Sequence, residues 1–197
     1  MSRGLGDVYK RQFEYSDIKL SADKIKDTDT VTVSFKIKNT GDVDGAEIAQ
    51  VYVADKESTI YRPVKELRAF KKVFLKAGEE KEVSLELSKR AFAFYNVNIN
   101  DWFVETGDFE IIVAASSRDP KLTAEINVES TVDAQVPDYR QTAPNYYNNV
   151  ANITRDDFAA VYGELPNPEI DTNKKIDLYC CLNDCLLYTS PSPRDTR

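Results

Sequence analysis

The chain has 197 residues, is 42% hydrophobic and carries a net charge of −7. That length can bury one core and an appendage but hardly two independent domains, and the acidity argues against a nucleic-acid partner, which would need a basic, phosphate-neutralising surface. No apolar run approaches the roughly 18 residues of a spanning helix, so no membrane partner is expected, and the absence of histidine removes Ser-His-Asp and Cys-His catalysis and most zinc chemistry.

Residues 1–12, MSRGLGDVYKRQ, show no strand pattern before Phe13 and Tyr15 begin a first strand. From there the chain alternates with a period of two. Val31, Val33, Phe35 and Ile37 are apolar, and Thr32, Ser34 and Lys36 lie between them, which predicts a strand with one wet face. The same period recurs at Ala49, Val51 and Val53, at Val83, Leu85 and Leu87, and at Phe109, Ile111 and Val113. Asn39-Thr40-Gly41, Ala77-Gly78, Thr106-Gly107-Asp108 and Arg118-Asp119-Pro120 supply the turn chemistry between these runs. Short strands spaced this way, without helical periods between them, predict an all-β antiparallel sandwich over residues 13–130.

Three stretches within the sandwich invite a functional reading. Tyr61, Arg62, Pro63, Lys65 and Glu66, followed by Arg68, form a charged and aromatic cluster. A solvated loop explains such charges, and a docking surface, where arginine and aromatics often anchor, explains them equally well. Ser88 to Tyr95 lies where the chain crosses between sheets, with Phe92 and either Phe94 or Tyr95 expected to plug the core. Asp101 and Glu105 flank Trp102, the sole tryptophan, a pattern that suggests sugar contact. A strand beside the Thr106-Gly107 turn, with its acids on a wet edge, is the simpler explanation, since nothing there predicts a desolvated cleft that would raise one carboxyl pKa. No catalytic, cofactor-binding or metal-binding residue is assigned.

Beyond the sandwich, residues 131–175 are expected to form an extended connector and one short helix over residues 151–166. Thr154 is a suitable N-cap, Asp156 and Asp157 lie in the first turn, Ile153 can staple onto Phe158, and Gly163 supplies the stop. Asn152-Ile153-Thr154 also fits a glycosylation acceptor, but capping already explains Thr154. Residues 176–197, ending CLLYTSPSPRDTR, change composition abruptly and, like residues 1–12, resemble translated adapter or vector sequence, so both ends are read as non-native and dispensable. Cys180, Cys181 and Cys185 all fall in this tail, and without histidine their spacing does not make a metal site.

FKIKNTGDVDGAEIAQVYVAD, then RPVKELRAFKKVFLKAGEEKEVSLELSKRAFAFYN, then VETGDFEIIVAASSRD follow one another in an order that resembles the fibronectin type III-like, immunoglobulin-like domain of family 3 glycoside hydrolases of the β-glucosidase type. The resemblance covers residues 13 to about 130, and PDYRQTAPNYYNNVANITRDDFAAVYGELP is similar to the segment that follows this domain in such enzymes. It implies a parent whose nucleophilic aspartate and acid/base glutamate lie on a (β/α) barrel and an α/β sandwich. The segment itself is then a non-catalytic accessory module with those catalytic domains as partners. Asn100-Asp101-Trp102 superficially matches the pair around the family nucleophile but lies in the wrong domain. The rival readings are a free-standing carbohydrate-binding module, with carbohydrate as partner, and a structural module. The first would need a row of exposed aromatics on one sheet face, where the strand patterns place lysine, glutamate, threonine and serine. The second would favour a tandem repeat, which the chain lacks.

Overall fold

The computed structural model describes residues 12–163. The expectations for residues 1–11, for the tail from 176 and for the three cysteines lie outside the described residues. The chain divides after Asp138 into two compact units.

The first unit is a two-sheet sandwich. Strands β1 (Phe13–Leu20), β3 (Val31–Asn39) and β6 (Glu80–Leu87) form one sheet, in the order β1-β3-β6. The second runs β2-β10-β9-β4-β5, from β2 (Lys24–Lys26), β10 (Asp119–Glu129), β9 (Gly107–Ser116), β4 (Gly45–Asp55) and β5 (Glu66–Leu75). All pairings are antiparallel except that of β2 with β10, a parallel edge the sequence reading did not foresee. Between β6 and β9 the chain crosses from one sheet to the other through helix α1 (Lys89–Phe92) and a small hairpin, β7 (Phe94–Asn96) with β8 (Asp101–Phe103).

The alternation predicted for β3 holds at every position. Val31, Val33, Phe35 and Ile37 are all buried and belong to one cluster with Ala49, Val51 and Val53 of β4, Val83 and Leu87 of β6, and Phe109, Ile111 and Val113 of β9. Residues from both sheets interdigitate in that cluster, as a sandwich core requires. Leu85 packs against it only partly buried.

The turns are held by specific groups. Asn39, fully buried, donates from its side-chain amide to the carbonyls of Val43 (2.9 Å) and Leu75 (3.3 Å), and accepts from the Gly41 N–H at 3.0 Å. Gly78 has φ of 75°, the left-handed conformation that its turn required of glycine. The turn between β9 and β10 is displaced from expectation: Asp119 and Pro120 already belong to β10.

The crossover decides between the two expected core pairs in favour of Phe92 with Phe94. Phe92 is buried edge-on to Phe109 (5.3 Å) and Phe94 is buried edge-on to Phe103 (5.8 Å), whereas Tyr95 points outward and pairs with Trp102 (5.7 Å). In β7 the period of two buries Phe94 and therefore must expose Tyr95.

In the second unit, Pro144 opens a helical turn, α2 (Asn145–Asn148), where extended chain is expected, and a 3-10 turn follows at Val150–Asn152, across the expected start of the helix. The main helix, α3 (Arg155–Tyr162), starts later than expected because Thr154 caps it. The Thr154 hydroxyl accepts from the Asp157 N–H, the Asp157 carboxylate accepts from the Thr154 N–H in return, and Gly163 ends the helix in the left-handed conformation. Hydrogen bonds from Thr154 and Asn145 hold the Asp157 carboxyl below its ordinary pKa.

Phe35→Ala should lower the urea-unfolding free energy by about 3–5 kcal/mol, because it leaves a cavity between the sheets. Lys36→Ala should cost less than about 1 kcal/mol although Lys36 pairs with Asp17 at 2.9 Å, because both partners are exposed. Comparable losses for the two would mean the register is wrong.

Candidate functional site

The connection between β4 and β5 carries the cluster singled out in the sequence. β4 ends at Asp55, β5 begins at Glu66, and the ladder between them closes at Val53 opposite Glu66. The intervening ten residues must form a loop, and the loop folds around Arg62. The Arg62 side chain is only 7% exposed. Its guanidinium donates to Asp55 Oδ2 at 3.3 Å, to Glu66 Oε2 at 2.7 Å and to the Phe92 carbonyl at 3.1 Å, with its carbon 5.9 Å from the Phe94 ring centroid. Arg68 shares Glu66 Oε2 at 2.8 Å.

This geometry separates the cluster into two kinds of residue. Arg62 and Glu66 point inward and tie the loop to the crossover, while Tyr61 and Pro63 lie on the exposed side together with Val64. Lys65 is half-buried, its ammonium 5.6 Å from the centre of the Tyr52 ring. The far side of the loop is fixed as well. Thr59 donates its N–H to Glu105 Oε2 at 3.0 Å and its hydroxyl to Glu105 Oε1.

The electrostatics follow from burial. Removal from water pushes the Asp55 carboxyl above its ordinary pKa, and Arg62 and the Glu57 N–H oppose that rise without cancelling it. A buried guanidinium between two carboxylates is costly to desolvate and costly to unpair, so the cluster fixes geometry more surely than it adds stability.

Trp102 is half-buried and packs against the sandwich core. The Arg90 guanidinium carbon stands 3.4 Å from its ring centroid and Tyr95 meets it edge-on, so one face is covered. Asp101 accepts from the Trp102 N–H at 2.7 Å, and Glu105 is spent on Thr59; the two acids that flank Trp102 in sequence therefore serve the hairpin and the loop. Among the described residues no group of three or more acidic, cysteine or histidine side chains is placed to hold a metal ion. No helix among them is long and apolar enough to cross a membrane.

The sequence reading missed one feature. The outward face of β4 and β5 carries Ile48, Phe70 and Phe74, exposed by 46%, 68% and 57%. Phe70 and Phe74 lie within the RPVKELRAFKKVFL block, but β5 buries only Val73 and Leu75 of its ten residues and so shows no clean alternation.

Residues 47–117 match the model of the fibronectin type III-like domain. The sandwich is a fibronectin type III-like domain. Thermostable beta-glucosidase B of Acetivibrio thermocellus is 50% identical over 121 residues, which are 61% of this chain and 16% of that protein. An exo-alpha-(1->6)-L-arabinopyranosidase of Bifidobacterium breve is 48% identical over 100 residues, 51% of this chain and 13% of that protein. The solved GH3 beta-glucosidase of Bifidobacterium adolescentis superposes with a TM-score of 0.59 at 37% identity, covering 68% of this chain and 19% of that one. The chain thus corresponds to the fibronectin type III-like portion of family 3 β-glucosidases and spans less than a fifth of their length, as the ordered sequence blocks led us to expect.

Replacing Arg62 by Met should cost about 3–5 kcal/mol near neutral pH, because it strands Asp55 and Glu66 without their partner. The sign of the pH dependence follows from Asp55. Its pKa is already raised in the fold, so the folded state holds this proton to higher pH than the unfolded chain, and stability falls as pH rises through that interval. Losing Arg62 widens the interval. The deficit of Arg62→Met in urea midpoint should therefore shrink between pH 7 and pH 4.5, and a deficit independent of pH would contradict the ion-pair role.

Proposed function

We propose that this chain is a non-catalytic accessory module of a family 3 glycoside hydrolase of the β-glucosidase type, and that it braces the parent's catalytic domains. The observation that carries the reading is that the same segment recurs at close to 50% identity in relatives named for different sugars, a beta-glucosidase and an arabinopyranosidase. A segment shared so evenly across substrates is not where the substrate is chosen.

The chemistry of the described residues supports it. Retaining glycoside hydrolysis needs two carboxyl groups about 5 Å apart across a substrate pocket, one of them kept protonated. Asp101 and Glu105 are each committed to a local hydrogen bond, and Asp55 is held by Arg62. The loop bearing Tyr61, Arg62, Pro63, Lys65 and Glu66 is the docking element we assign, with Arg62 and Glu66 setting its shape, Tyr61 and Pro63 on its exposed side and Lys65 beside them over the Tyr52 ring. A sugar on Trp102 would have to use the ring face opposite Arg90.

The purified chain should show no turnover of an aryl β-glucoside above a blank. Turnover abolished by Asp101→Asn or Glu105→Gln would overturn the reading.

A further inference from the structure

The outer face of a sandwich sheet is normally polar, and across β4, β5 and the middle of β9 it is largely apolar. The ladder registers set the apolar residues in rows. Leu67 lies opposite Tyr52, which lies opposite Ile112; Phe70 lies opposite Gln50, which lies opposite Ala114; and Phe74 lies opposite Ala46. Ile48 is opposite Lys72 and so sits diagonally beside both Phe70 and Phe74. At one end this stripe is already closed, since Tyr52, Ala54, Ile112 and Ala114 form a small buried cluster of their own. At the other end Ile48, Phe70 and Phe74 stand open, and Leu67 is 48% exposed. A contiguous apolar surface of this kind marks an interaction site.

Two observations select the occupant. β5 is an edge strand, but Lys71 lies on its inward side opposite Ala49, and an inward-pointing charge at an edge blocks extension of the sheet by another strand. A partner must therefore approach the face. That face offers Lys72 between the two phenylalanines, and the Tyr52 hydroxyl donates to Gln50 Oε1, so its neutral polar groups are turned on each other rather than converging on a sugar. A second copy laid on this face about a two-fold axis through its centre would bring Lys72 near Lys72. A surface that is apolar and carries carboxylates matches it, and in relatives of which this segment is only 16% and 19%, most of the polypeptide is available to supply one.

We infer that the Ile48, Phe70 and Phe74 face of β4 and β5 seats an apolar, acid-bearing surface of the parent hydrolase's own catalytic body. This rests on the reading of the chain as a module of such an enzyme and adds a second contact to the loop at Arg62.

The test exchanges the matching segment of the Acetivibrio thermocellus beta-glucosidase for this one and compares that hybrid with the same hybrid carrying Phe70→Glu and Phe74→Glu. The pair should inactivate at least tenfold faster at elevated temperature. The same substitutions in the isolated 197-residue chain should leave its urea midpoint unchanged, since both side chains are exposed. Equal inactivation of the two hybrids would overturn the inference and leave the module reading standing. An unsubstituted hybrid no more durable than the enzyme with the segment deleted would overturn the module reading, and the inference with it. Sedimentation of the isolated chain should show a monomer, and titration with cellobiose should show no binding. A dimer dissolved by the two substitutions, or cellobiose binding lost with them, would assign the face to another occupant.

Discussion

The period-two burial of β3 is the constraint on which the rest of the sandwich depends. Val31, Val33, Phe35 and Ile37 all face the second sheet, and β3 is the central strand of the first, paired on one side with β1 and on the other with β6. A slip of one residue would turn Lys36 and Ser34 into the core, so the register is fixed by burial itself. The positions of β4 and β9 follow, because their inward residues must fill the other half of the same core. Every side chain with a claim to function stands on elements that this packing holds in place.

The two ends of the sandwich meet the polar cost of crossing between sheets with buried, fully directed groups. At one end Asn39 ties two loops together through its amide. At the other, Asp27 is almost completely buried; burial raises its pKa, and hydrogen bonding from Thr131 together with Lys89, 3.2 Å away, reverses that rise and leaves it lowered. Arg62 does the same for the loop between β4 and β5. Charges placed in this way are poor sources of net stability and good sources of specificity, because each leaves its partners stranded if the loop moves. The consequence for function is a loop that keeps its shape while presenting Tyr61, Pro63 and Val64 to solvent.

Legibility in the sequence followed local physics closely. β3 was readable because one face is buried and the other wet, β4 and β9 because their inward residues keep a period of two although Tyr52, Ala54, Ile112 and Ala114 are buried on the outer side, and α3 because a capping box and a left-handed glycine are encoded within ten residues, Thr154 to Gly163. β5 was not readable as a strand: it lies at an edge, Lys71 and Lys72 interrupt its pattern, and its outer face is apolar. The parallel pairing of β2 was invisible because three residues carry no period. Within the candidate site, the sequence placed Arg62, Glu66 and Arg68 together but could not say that Arg62 points inward, since its partners Asp55 and the Phe92 carbonyl come from other elements. The aromatic face was missed for the opposite reason, since solvent-facing phenylalanines contradict the rule by which strand faces are assigned.

A scaffold that contributes shape rather than chemistry should be rigid at the surface it presents. Amide hydrogen exchange of the full chain, read at residues 56–65, measures that rigidity most directly. The buried Arg62 network should protect these loop amides well beyond an ordinary exposed loop, with Arg62→Met removing the protection there and sparing β3 and β9. Exchange at the unprotected rate in the wild-type chain would show that the loop is not held, and would contradict the role given to it.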